Sequence, residues 1–135
     1  MSQFNVEIIT PERHFFSGEI DAISMTTLSG RIQILAHHIP YATGIMPSVI
    51  KIKQKDTVKY ATVSGGFIEF TNNKATILAD SAEWPEDIDT NRAEEAYKRA
   101  KARLADKDQN LDKKRAQMAL MRALARVKIS EFKKH

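Results

Sequence analysis

The stretch Ile88-Asp89-Thr90-Asn91-Arg92-Ala93-Glu94-Glu95-Ala96 is where the chain changes its hydrophobic period. Before it, apolar residues alternate with polar ones, the two-residue repeat of half-buried strands. After it, Ala93, Ala96, Tyr97, Ala100 and Leu104 recur at the spacing of a single helix face. Asp89 stands where a helix N-cap belongs, so the segment reads as a helix start that joins a β-rich front to a helical back.

Toward the N-terminus the strand signals are Phe4–Ile8, Glu19–Ile23 after a Ser17-Gly18 break, Ile32–Leu35, Val49–Lys53, Val58–Val63, Phe67–Phe70 and Lys74–Leu78. Gly65-Gly66 and Asn72-Asn73 tolerate positive φ, which predicts tight hairpins at both places. Short strands in such a series argue for a sandwich or flattened barrel. Toward the C-terminus, Asp106-Lys107-Asp108-Gln109-Asn110 is a polar break, and a second helix is predicted from near Leu111 to about Phe132. Its stripe is Ala116, Ala119, Leu120, Ala123, Leu124 and Val127. Two helices joined by a short loop make an antiparallel hairpin. An alanine-lined seam buries little area, so at roughly 25 cal/mol per Å² the hairpin is weakly held and can open.

With 135 residues and a mass of 15.3 kDa, the chain can bury one modest core plus an appended element. Cysteine is absent, which removes disulfide and thiolate chemistry, and the four histidines are scattered apart from His37-His38, which disfavours zinc. No secretory pattern opens the chain, and no apolar run nears the roughly 20 residues that span a bilayer, so a soluble protein on the cytoplasmic side is expected. Residues 1–91 carry 7 Lys/Arg against 11 Asp/Glu, and residues 92–135 carry 14 against 6, so the net +4 is the sum of −4 and +8. The basicity lies in the helices, where it would suit a nucleic acid, an anionic membrane or an acidic protein surface.

In order and spacing, Thr10-Pro11, Gly30, His38-Ile39-Pro40, Ser64-Gly65-Gly66-Phe67-Ile68-Glu69, Ile77-Leu78-Ala79-Asp80 and Ile88-Asp89-x-x-Arg92-Ala93-x-x-Ala96 resemble the ε subunit of bacterial F-type ATP synthases over essentially the whole chain. The resemblance implies a ten-stranded β-sandwich that binds the rotor (residues 1–84), followed by a regulatory two-helix hairpin (residues 85–135). It implies a non-catalytic place in the central stalk of a proton-translocating synthase, with the γ subunit, the c-ring and the α and β subunits as partners. The expected location is peripheral, at the cytoplasmic side of the cell membrane. Three positions depart from the family pattern: Gln33 and Ser48 stand where glycine is usual, which bears on turn geometry, and Trp84 precedes Pro85.

Some members of that family bind ATP on the folded hairpin, and the matching positions are Glu83, Ile88, Asp89, Arg92, Ala93, Arg99, Arg122 and Arg126. Arg92 and Arg99 are nearly two helical turns apart, as Arg122 and Arg126 are about one, so each pair projects from one face. In an antiparallel hairpin these four guanidinium groups could converge on a triphosphate. Asp89 and the Ile88 backbone would then read the amino edge of adenine, which predicts ATP over GTP. Arg92→Ala is expected to weaken ATP more than Arg103→Ala. The alternative for Asp89 is a simple N-cap, and for Arg92 and Arg99 exposed surface pairs with Glu95 or Glu94. ATP is expected as a regulatory ligand, and no cofactor is required.

By the same resemblance, Lys113, Lys114, Arg115, Arg122 and Arg126, with Lys128 nearby, are expected to contact the β subunit when the hairpin opens and to inhibit hydrolysis. His38, Pro40, Tyr41 and Met46 are expected to contact the rotor from loops, with lid packing on the sandwich as the alternative. Two rival classes were weighed. A nucleic-acid-binding β domain with a basic tail is disfavoured by Glu94, Glu95 and Asp112 among the cations, and by having only Tyr97 and Phe132 for stacking. An independent enzyme is disfavoured because His37 and His38 lack a nucleophile or a carboxylate pair, so no catalytic residue and no metal site is expected.

Overall fold

The computed structural model describes residues 2–105 and 112–132. Ten strands form the front of the chain: β1 (Phe4–Ile9), β2 (His14–Ile20), β3 (Ala22–Thr27), β4 (Gly30–Leu35), β5 (Tyr41–Ile45), β6 (Ser48–Gln54), β7 (Thr57–Val63), β8 (Gly66–Thr71), β9 (Lys74–Ala79) and β10 (Ala82–Glu83). One layer runs β10-β7-β6-β3-β4 and the other β5-β8-β9-β1-β2. They meet at the single pair Thr27–Ile45. Among these pairs only β1–β9 is parallel. The expected ten-stranded sandwich is therefore present, and its core is filled by Phe4, Ile8, Ile20, Ile23, Ile34, Ile50, Ile52, Ile68, Phe70 and Ile77 from both layers. Phe4 meets Phe70 edge to face at 5.5 Å, the arrangement that aromatic quadrupoles favour.

Four local expectations change. Ser17 and Gly18 do not end a strand: they lie inside β2 and pair with Glu7 and Val6 of β1. The break falls at Asp21, whose Oδ2 accepts from the Lys55 backbone N–H at 2.7 Å. Tyr41–Ile45 is a strand rather than a loop, paired with β8 from Tyr41–Phe70 to Ile45–Gly66. Gln33 marks no turn, since it stands mid-strand on β4 facing out. Asn72 (φ 52°) and Asn73 (φ 57°) make the expected tight β8–β9 turn. Gly65-Gly66 does not close a hairpin, because β7 and β8 belong to different layers. Gly66 has φ 148°, and a Cβ there would stand 2.1 Å from the Leu78 carbonyl oxygen, so only glycine lets β8 enter beside β9.

Past β10 the chain turns through a short 3-10 helix at Pro85–Asp87 into α1 (Thr90–Ala105) and α2 (Lys113–Ser130). Trp84 at this junction stacks on Phe15 (4.4 Å between ring centroids) and meets Phe16 edge on, closing that end of the core. The start of α1 and the end of α2 share a seam of Ile88, Ala93 and Ile129, with Val49 and Tyr60 of the sandwich packed against it. The helices are therefore antiparallel and docked on β6 and β7. The buried residues of α2 are Ala116, Ala123, Ala125 and Ile129, so the predicted stripe holds at Ala116 and Ala123. Ala125 and Ile129 form a second face that meets the sandwich. The polar break at 106–110 and the predicted helix start at Leu111 lie outside the described residues.

Candidate functional site

Small residues set the spacing between the helices, and the long basic side chains flank that seam. Ala96, Ala100, Ala116, Ala119 and Ala123 floor a groove of about 580 Å³ between α1 and α2, and Arg99, Arg103, Arg122 and Arg126 line it. No carboxylate is among its lining residues within the described part of the chain. Three of the four predicted arginines thus meet in one place. Arg92 does not line the groove, but it lies on the same face as Arg99, about 10 Å earlier along α1 at 1.5 Å per residue. Arg103 does line it, which makes it a poor reference position for Arg92. The sequence carried that signal, since Arg99 and Arg103 are spaced i and i+4 on one face.

At the head of the groove Asp89 is the N-cap of α1. Its Oδ1 accepts from the Arg92 N–H at 3.2 Å, and its carbonyl accepts from Ala93 at 3.0 Å. The capping role is therefore real, and a nucleotide would have to share that carboxylate. Ile88 and Ala93 are buried by the seam, and the Ile88 N–H already donates to the Pro85 carbonyl at 3.2 Å. Their side chains hold the helix start in place. No pair joins Arg92 or Arg99 to Glu94 or Glu95 among the described ion pairs.

Glu83 sits on β10 opposite Thr62 of β7, and its Oε1 accepts from Arg126 Nε at 2.8 Å. This bond ties α2 to the sandwich. Both partners are partly exposed, so its net worth is about 0–1 kcal/mol. Arg126 also lines the arginine groove, so it stands between the Glu83 carboxylate and the place where an anion would lie.

The inhibitory set divides. Lys113, Lys114 and Arg115 occupy the exposed first turn of α2, with Asp112 as N-cap accepting from the Arg115 N–H at 3.1 Å. Cations at the positive end of a helix dipole oppose it by about 0.3–1 kcal/mol each. They do not serve the docked helix. Arg122 and Arg126 are half-buried and line the groove that faces α1.

The rotor set also divides. His38 and Tyr41 are half-buried, and the His38 ring lies edge on to Tyr41 and to Phe70, both at 5.8 Å between centroids. They pack as a lid. Met46 is likewise partly covered, with its N–H donating to the Thr26 carbonyl at 2.9 Å. Pro40 is exposed beside Ile39, which is 73% exposed and is the freer anchor. The larger apolar surface is elsewhere. Cross-strand register aligns Gly44, Phe67, Leu78 and Ile9 on the outer face of the second layer, and Leu28 folds over Gly44. Leu28, Phe67 and Leu78 are exposed. Alternation could have found two of them: with Ile68, Phe70 and Ile77 inward, Phe67 and Leu78 must point out.

Among the described residues no cluster of His, Cys, Asp or Glu could hold a metal ion, and no helix is long and apolar enough to cross a membrane. Residues 3–85 match the family model described as ATP synthase, Delta/Epsilon chain, beta-sandwich domain, and residues 86–131 match the long alpha-helix domain of the same family. Similar proteins named ATP synthase epsilon chain include one from Caldicellulosiruptor bescii, 41% identical over 131 residues (97% of this chain and 96% of that one). One from Bacillus cytotoxicus is 42% identical over 133 residues (98% and 100%), and one from Clostridium kluyveri is 45% identical over 123 residues (90% and 92%). In fold the chain is similar to a component of the Euglena gracilis mitochondrial ATP synthase OSCP/F1/c-ring structure, at TM-score 0.81 and 18% identity, covering 96% of this chain and 81% of that one.

Proposed function

Because this chain belongs to the ATP synthase delta/epsilon chain family, we propose that its sandwich docks on the rotor while its hairpin regulates ATP hydrolysis under the control of bound ATP. As the epsilon subunit of the central stalk it is not itself a catalyst. ATP synthesis and ion transport belong to the complex. The observation that carries the regulatory reading is the convergence of Arg99, Arg103, Arg122 and Arg126 on one groove.

Both helices supply those arginines, so an anion that uses them binds the closed hairpin and not the open one. Such a ligand stabilises the closed state by about 2.7 kcal/mol at a hundredfold excess over its Kd. That is comparable to what a seam of three residues and one partly exposed ion pair can contribute. Arg126 exchanges Glu83 for the phosphates, and Asp89 with the Ile88 carbonyl accepts from the adenine amino group. Without ATP the hairpin opens, and Lys113, Lys114, Arg115, Arg122 and Arg126 are presented to an acidic surface of the β subunit.

The rotor contact is assigned to γ through the row Leu28, Phe67 and Leu78, and to the c-ring through the exposed end around Ile39 and Pro40. The similar fold of the Euglena gracilis OSCP/F1/c-ring assembly is in keeping with such a place beside the c-ring. On this reading the subunit is peripheral, held at the cytoplasmic side of the membrane through its partners. Calorimetric titration of the full chain with ATP and GTP tests the nucleotide: heat with ATP and less with GTP is expected, and no heat at millimolar ATP removes the reading. Truncation after residue 91 tests the regulation: faster ATP hydrolysis by the reconstituted complex is expected, and an unchanged rate contradicts it.

A further inference from the structure

A second cleft, distinct from the arginine groove, separates the C-terminal half of α2 from the sandwich. It has a volume of about 480 Å³, within the usual range for small-molecule sites. Pro47, Val49, Tyr60, Met121, Leu124 and Phe132 wall it, and the Phe132 ring stacks on Tyr60 at 4.0 Å. Two cations share this apolar setting. Arg31 donates from Nη1 to the Val49 carbonyl at 2.7 Å and to Thr26 Oγ1 at 3.3 Å, which leaves its Nε and Nη2 donors for another group. Lys128 lines the same cleft from α2. Among the described residues no carboxylate lines the cleft, and neither cation takes part in the described ion pairs. Arg31 is exposed at the edge of the cleft, and the water it does lose there lowers its pKa from the ordinary value.

We propose that this cleft binds a single-chain amphiphilic carboxylate, a free fatty-acid anion, with its tail among Val49, Met121 and Leu124 and its headgroup on Arg31 and Lys128. A triphosphate would find two cations and an apolar wall, and a neutral hydrocarbon would leave both cations unused. A carboxylate with an alkyl tail matches both halves. Because α2 and the sandwich each supply part of the wall, the ligand binds the docked hairpin and holds it docked. The site shares no residue with the arginine groove, so it stands or falls without the nucleotide reading.

The test is titration of the full chain, free of nucleotide, with decanoate below its micelle-forming concentration, followed by calorimetry and by amide NMR shifts. One saturable site is expected, with shifts at Ser48, Val49 and Lys128. Binding should weaken about tenfold or more for 1-decanol, for Arg31→Gln and for Lys128→Gln, since a charge-assisted hydrogen bond is lost in each. Met121→Trp, which fills the cleft, should abolish it, while Arg99→Gln should leave it unchanged. Equal affinity for decanol and decanoate, undiminished binding by both Arg31→Gln and Lys128→Gln, or shifts that never saturate would overturn the proposal.

Discussion

Ile129→Ala probes how the hairpin is held. Ile129 is fully buried in the seam with Ile88 and Ala93, against Val49 and Tyr60 of the sandwich. Truncation removes three carbons from a site walled by strand backbone and a helix start, which cannot collapse to refill it. Buried Ile→Ala changes cost about 2–5 kcal/mol. The seam is peripheral and its sandwich-side walls, Val49 and Tyr60, are only half-buried, so the lower part of the range for such changes applies, about 2–3 kcal/mol. The strands keep their own core of Phe4, Ile8, Ile68, Phe70 and Ile77, so the loss should fall on docking alone. Hydrogen exchange followed by mass spectrometry reads this directly: α2 amides should exchange about 30- to 150-fold faster, while β1, β8 and β9 stay protected. The apparent ATP affinity should fall with the closed fraction. Equal loss of protection in the strands would mean that sandwich and hairpin are one cooperative unit, and unchanged protection in α2 would mean that the seam does not hold it. Either result refutes the reasoning.

Other changes separate the remaining contacts. Arg99→Gln and Arg122→Gln should each weaken ATP about tenfold or more in calorimetry, as expected for a charge-assisted bond to phosphate, with little change in melting temperature. Gly66→Ala should cost about 3 kcal/mol or more in denaturant unfolding, because its Cβ would overlap the Leu78 carbonyl and force β8 from β9. A double-mutant cycle of Glu83→Gln and Arg126→Gln should give a coupling below about 1 kcal/mol in physiological salt, since both groups meet water. A much larger coupling would make that ion pair the chief clasp of the hairpin.

The parts of the fold written in period were legible. Alternation located most of the strands, and Ala93, Ala100, Ala116 and Ala123 announced the helix–helix face. Where two partners shape one element, a single period hides the second: Ala125 and Ile129 lie off the alanine stripe because they answer to β6 and β7. Strand β5 escaped notice because its residues, Tyr41-Ala42-Thr43-Gly44-Ile45, alternate only weakly, and the ladder to β8 defines it instead. Ser17-Gly18 carried turn chemistry yet sits mid-strand, where pairing with β1 overrides propensity. In the candidate site, helical spacing foretold that Arg99, Arg122 and Arg126 would meet. It could not foretell that Glu83, 43 positions earlier than Arg126, would reach it from a strand edge.

Under the proposed function, a nucleotide decides whether α2 stays on the sandwich. The chain has no cysteine, so Lys74→Cys and Gln117→Cys, at two exposed positions, can carry a unique pair of spin labels in the assembled complex. Pulsed dipolar spectroscopy should then give a broad distance distribution without nucleotide, collapsing with ATP to the single narrow separation of the docked hairpin and responding far less to GTP. A distribution that is the same with and without ATP would contradict the account.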